Sequence, residues 1–237
     1  MLNWDYTNLS CFYEKRVDYS KTCVQILLDI TKPSLICDIG AGTGKLTTML
    51  AANRARVVAI EPNLEMMSVG FSKTNEMLVE WENYSAEDNK QASEKFDLVT
   101  FGSSLNVTDV SKSIPESIRI LKPDGYLACL WNHRDFSDDL QKQIEQTIKA
   151  NLNNYSYGSR REDQSLLLRK YLKNIIKVEC DFEVVQKKQD SIDAWRSHLT
   201  LKKQSGDRFE HIISEISKLT PEIFSTRYTT VMWIGQK

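Results

Sequence analysis

Ile36-Cys37-Asp38-Ile39-Gly40-Ala41-Gly42-Thr43-Gly44-Lys45-Leu46-Thr47 decides the fold. An apolar run feeds a loop with glycine at every second position, and a helical pattern follows at once. Glycine lets a backbone turn sharply and approach a ligand closely, because no Cβ stands in the way. A helix that starts directly behind such a loop presents N–H groups with no partner in the helix itself. Strand, loop and helix in this order make a nucleotide-type pocket at the carboxyl end of a buried parallel strand.

On either side of this stretch, strand-length and helix-length segments alternate, which predicts a parallel sheet covered on both faces. Before it, Val24, Leu27 and Leu28 stand at helical spacing in a helix over 20–31, closed by Lys32-Pro33. After it come strands over 55–60, 78–81, 96–101 and 126–131, and Asn63 is placed to cap a helix over 64–72. Lys122-Pro123-Asp124-Gly125 carries proline and glycine where a type I turn prefers them. The segment 132–180 is polar and reads as a helical lid over the carboxyl edge of the sheet. Strand signals return at 182–186 and 229–234, with helices over 192–199 and 208–219 between them. The chain reads as a single domain: a cofactor-binding core over 20–131, the lid over 132–180, and a C-terminal part over 181–237.

With 237 residues the chain is long enough for one such α/β domain. Formal charge is 31 − 32 = −1 without a large block of one sign, which argues against a nucleic-acid partner. The five cysteines never form a C-x-x-C pair, and Cys37 and Cys129 fall inside predicted core strands. This usage predicts a reduced intracellular chain without a zinc site. Met1–Asp5 shows no leader, and no apolar run reaches membrane-spanning length, so the expectation is cytoplasmic, with no membrane partner.

A dinucleotide site would require G-x-G-x-x-G, whereas the spacing here is Gly40-x-Gly42-x-Gly44. Glu61 ends the second strand, and its carboxylate suits the ribose hydroxyls of either cofactor. In order along the chain stand Asp38–Gly44, Ile60-Glu61-Pro62-Asn63, Ala86-Glu87-Asp88, Phe96-Asp97-Leu98-Val99 and Leu121–Tyr126. Together these motifs resemble the class I S-adenosylmethionine-dependent methyltransferases. Within them the chain is similar to the small-molecule group that includes trans-aconitate methyltransferase and antibiotic-tailoring enzymes. The resemblance covers roughly 6–131 and, less closely, 227–234.

The resemblance implies a Rossmann-like, seven-stranded, mostly parallel sheet with an antiparallel last strand, and S-adenosylmethionine as cofactor. It implies that Gly40, Ala41 and Gly42 approach the cofactor, that Asp38 orients its methionine end, and that Glu61, followed by Pro62 and Asn63, holds the ribose. Met66 would pack on the adenine, with Ala86 and Glu87 at its amine. Gly102 and Ser103 would line the sulfonium end, and Arg16 and Tyr19 the carboxylate end. The implied activity is methyl transfer to an oxygen, carbon or nitrogen of a small molecule in specialised metabolism, by a monomer or homodimer. An NAD-dependent oxidoreductase and a non-catalytic cofactor-binding module are the alternatives.

Relatives often carry His-Trp where this chain has Asn106-Val107, and an asparagine takes no proton at neutral pH. His133, at the mouth of the fifth strand, is the first candidate for a general base, with His198 and Tyr13 beside it. His211 reads as solvated. Asn106, Trp131, Arg134, Tyr157, Arg160 and Trp195 are candidate acceptor contacts, because arginines beside aromatics suit a flat or anionic molecule.

Overall fold

The computed structural model describes residues 5–237. Met1–Trp4, part of the stretch where no leader was read, lies outside the described residues. The chain opens with α1 (Ser10–Tyr13) and α2 (Lys21–Thr31), the latter capped by Ser20, whose side chain accepts the N–H of Cys23. Then β1 (Leu35–Ile39), α3 (Lys45–Ala51), β2 (Arg56–Ile60), α4 (Leu64–Thr74), β3 (Val79–Glu82) and β4 (Phe96–Gly102) alternate. Asn63 caps α4 by accepting from Glu65 and Met66. Beyond them follow α5 (Val110–Ile120), β5 (Leu121–Arg134), α6 (Asp139–Asn151) and α7 (Ser165–Leu168). The chain closes with β6 (Lys173–Lys187), α8 (Lys188–Arg196), α9 (Leu199–Ser205), α10 (Phe209–Leu219) and β7 (Ile223–Gln236).

The seven strands lie in the order β3-β2-β1-β4-β5-β7-β6. All pairings from β3 to β5 are parallel, and β7 enters antiparallel between β5 and β6. This agrees with the implied fold. It differs from the all-parallel 3-2-1-4-5-6 order typical of dinucleotide binding.

Period-two alternation divides the strands between two cores. Cys37, Ile39, Val99, Phe101, Val231 and Trp233 face one side, under Ile114 and Ile120 of α5. Ile36, Leu98, Met232 and Ile234 face the other, under Leu27 of α2 and Leu46 and Leu50 of α3. Cys37 and Cys129 are fully buried, as strand placement predicts.

Two expectations change. Asp124 has φ 61°, the left-handed value that marks a type II turn rather than type I. β6 begins at Lys173 instead of 182, because its outer position lets charged residues alternate with Ile176, Val178 and Cys180. The lid is therefore redistributed. It consists of α6 and α7 after β5, joined by α8, α9 and α10 after β6, and the two segments share a third core. Ile144 and Ile148 of α6 pack there with Ile192, Trp195, Leu201, Phe209, Ile212, Ile213 and Ile216.

Candidate active site

All three loop glycines adopt positive φ: 65° at Gly40, 59° at Gly42 and 78° at Gly44. A Cβ on Gly40 would fall 2.5 Å from that of Ser104, whose hydroxyl donates to the Ile39 carbonyl at 2.6 Å. The loop after β4 is thus pressed onto the glycine loop. Within the loop itself, the N–H groups of Gly40, Ala41 and Gly42 are bonded within the fold. Gly40 and Ala41 donate to the Ile60 carbonyl, and Gly42 donates to Glu61 Oε2 at 2.8 Å.

Glu61 is 8% exposed, and its other oxygen accepts the Asn63 N–H at 2.8 Å. Burial pushes its pKa up. Asn83, which no sequence signal marked, donates to the carbonyls of Glu61 and Pro62 and fixes that corner. Met66 is buried, its methyl facing Gly42, and Tyr13 lies over the same glycine. Ala86 is buried. Glu87 Oε1 accepts the N–H of Asp109, the residue that caps α5.

Asp38 departs from its expected role. It shares strand parity with Ile36, so its side chain enters the face covered by α3, and it is 1% exposed. Thr47 and Thr100 donate to its two oxygens at 2.6 and 2.8 Å, and burial raises its pKa to about 6. Asp38 braces the loop from behind. Arg16 departs too. Its Nε and terminal nitrogen donate to Ser197 Oγ and O at 2.7 and 2.6 Å, fastening the N-terminal segment to the cap. Tyr19 reaches the mouth of β4, where its hydroxyl shares a 2.9 Å hydrogen bond with Ser103, next to Gly102.

A cavity of about 110 Å³ lies between this mouth and the cap. Tyr13, Arg16, Tyr19, Ser103, Asn106, Trp131, His133, Arg134, Tyr157, Arg160 and His198 all line it, so most acceptor-side candidates do converge. Trp195 lies behind the wall in the cap core, with the Arg134 guanidinium 4.0 Å above its ring. Asn106 Oδ1 accepts the Trp131 indole N–H at 2.9 Å.

Tyr6 and Phe136 also line the cavity but were not among the candidate sites, and Arg161 joins its neighbour Arg160 there. The Arg160-Arg161 pair was visible as a sequence feature. Tyr6 arrives only because the N-terminal segment folds back, its ring edge-on to Tyr13 at 5.6 Å.

The histidines are poorly suited as general bases. His133 Nε2 donates to the Arg160 carbonyl at 3.0 Å. Burial, followed by the charge of Arg161, lowers its pKa to about 4. A base this weak captures little of the driving force for proton transfer at neutral pH. His198 is 8% exposed and lies tilted against Trp195, ring centroids 4.8 Å apart, and burial together with Arg16, Arg134 and Arg160 holds its pKa well below the usual value. His211 is exposed, as expected.

Residues 37–129 match the methyltransferase domain family. An uncharacterized methyltransferase of Mycobacterium tuberculosis is 35% identical over 127 residues, 52% of this chain and 50% of that protein. A ubiquinone/menaquinone biosynthesis C-methyltransferase of Rubrivivax gelatinosus is 34% identical over 96 residues, 40% of this chain and 38% of that one. The chain spans about half the length, or less, of these relatives. A solved chain from Anaeromyxobacter dehalogenans superposes with TM-score 0.68 at 15% identity, covering 93% of this chain and 97% of that one. Strand order, glycine loop and relatives agree on a methyltransferase domain over residues 37–129 of the chain.

Proposed function

We propose that this chain transfers a methyl group from S-adenosylmethionine to a small-molecule acceptor held in the cavity between the sheet and the cap. One observation carries the reading: the cavity meets the glycine loop's side of the sheet at Tyr19 and Ser103, and the cap and N-terminal segment roof it. The loop fits the cofactor, because two positive-φ glycines and the Glu61 carboxylate form a cradle that side chains at those glycines would obstruct. Gly40, Ala41 and Gly42 admit its close approach. Glu61 takes the ribose hydroxyls, exchanging a backbone N–H for them. Met66, Ala86 and Glu87 flank the adenine, and Tyr19, Gly102 and Ser103 the sulfonium end.

When bound, the cofactor supplies a methyl on a positively charged sulfur, a strong electrophile. The protein then has to position the acceptor atom and exclude water. Asn106, held by Trp131, offers its amide N–H₂ for positioning. His133 holds the Arg160 backbone rather than taking a proton.

The whole chain serves as one catalytic domain with its cap, acting as a monomer or homodimer in the cytoplasm, in specialised metabolism. Among the described residues, no helix is long and apolar enough to cross a membrane.

Calorimetry with S-adenosylhomocysteine and NAD tests the cofactor, with binding expected for the first alone. Tight NAD binding without S-adenosylhomocysteine binding overturns the reading. Labelled S-adenosylmethionine with a broad panel of acceptors, read by mass spectrometry, tests the reaction. Cofactor binding with no methylated product across the panel favours a non-catalytic module.

A further inference from the structure

The charge lining the cavity is one-sided. Arg16, Lys45, Arg134, Arg160 and Arg161 face it, and no aspartate or glutamate stands among its described lining residues. Two of the five cations are already engaged, Lys45 with Asp18 at 2.8 Å and Arg16 with Ser197. The other three have no carboxylate ion-pair partner among the described residues. The nearby acid Glu145 is committed to Lys149 at 3.2 Å and to the Tyr157 hydroxyl.

The three guanidinium groups are held in place without a counterion. Arg134 lies 4.0 Å over Trp195, Arg161 lies 4.1 Å over Phe136, and Arg160 lies 5.1 Å over Tyr157. Such stacking fixes the plane of the fork in advance. Burial lowers the pKa of Arg160 and Arg161 to about 10, so both remain cationic at neutral pH.

His198 supplies an independent observation. Its Nε2 faces the Arg134 nitrogen at 3.5 Å, and because a guanidinium can only donate, this contact favours the tautomer with the ring proton on Nδ1. Nδ1 is buried and has no hydrogen-bond partner among the described residues. A buried donor left unpaired is costly and points to a missing acceptor.

We propose that the acceptor is a small organic oxyanion, a carboxylate or a phosphate, gripped by Arg134, Arg160 and Arg161 with the Nδ1–H of His198. The inference rests on the methyl-transfer reading and names the substrate class for the same cavity. Fork-shaped guanidinium groups bind such oxyanions through paired, charge-assisted hydrogen bonds. The same feature rejects neutral analogues, which leave those charges unpaired.

Calorimetric titration of the protein saturated with S-adenosylhomocysteine tests it, using benzoate, phenyl phosphate and neutral benzamide as probes. At least one anion binds ten-fold or more tightly than benzamide, and the better anion identifies the oxyanion. Arg134→Gln and Arg160→Gln each weaken that anion ten-fold or more, while S-adenosylhomocysteine affinity stays within two-fold and certifies the fold. Benzamide binding as tightly as both anions, or anion affinity unchanged in both folded variants, overturns the proposal. Repeating the titrations without S-adenosylhomocysteine keeps the two readings apart. Anion preference without S-adenosylhomocysteine binding sinks only the methyl-transfer reading. S-adenosylhomocysteine binding without anion preference sinks only this one.

Discussion

Two acids, Asp38 and Glu61, brace the glycine loop, each satisfied by threonine hydroxyls or backbone N–H groups. Across the cavity they are arginines laid on aromatic rings, with no acid to answer them. On the loop side both acids are satisfied within the protein, and the geometry is set by positive-φ glycines and by close contacts. The cap side is electrically incomplete, and its geometry is set by stacking. One wall suits a cationic cofactor and the other an anionic partner. They rest on different cores, since the cap residues around Trp195 belong to neither sheet core.

The strongest way to break the comparison is at Gly40. A valine there must take a left-handed φ and meet Ser104, which costs at least about 3 kcal/mol. Chemical denaturation should show that loss, and calorimetry should show S-adenosylhomocysteine binding abolished. Retained binding would mean that the loop does not need this close approach.

On the cap side, Trp195→Ala removes a side chain 3% exposed and should cost about 3–5 kcal/mol. Oxyanion binding should fall with it, while S-adenosylhomocysteine affinity should hold within a few-fold. Equal damage to both would mean that the two walls are one unit.

The smallest effect concerns His133, whose folded pKa of about 4 lies below the ordinary imidazole value of 6.5. A depressed folded value means that the unfolded chain binds the proton more tightly. The stability this group contributes is thus present above pH 6.5 and lost as pH falls toward 4. Relative to His133→Gln, the natural protein should lose about 1–2 kcal/mol over that window, allowing for partial exposure of the ring. Denaturation midpoints of both proteins against pH measure this. A pH-independent gap would sink the burial argument. Asp38, raised to about 6, contributes with the opposite sign in both proteins and so cancels in the comparison.

The cofactor side was largely legible because its features are local: three alternate glycines, an acid ending the next strand, and an asparagine at a helix start. Even there, strand parity carried information beyond the motif, since Asp38 follows Ile36 by two and must share its face. β6 carried a readable period-two signal in Ile176, Val178, Cys180, Phe182 and Val184, obscured by the charges between them. The cap was not legible as a unit. Its core joins residues 144–152 to 192–216 across a sheet strand, and no local pattern states that pairing. Arg16 illustrates the same limit: its partner Ser197 lies 181 positions away.

A cap with its own core also has its own melting. Because Ile144, Trp195 and Ile213 share no cluster with the strands, the cap can open as one cooperative unit while the sheet's hydrogen bonds stay closed. In hydrogen-exchange terms, amides of α6 and α10 form one protection class and those of β1, β4 and β5 a slower one.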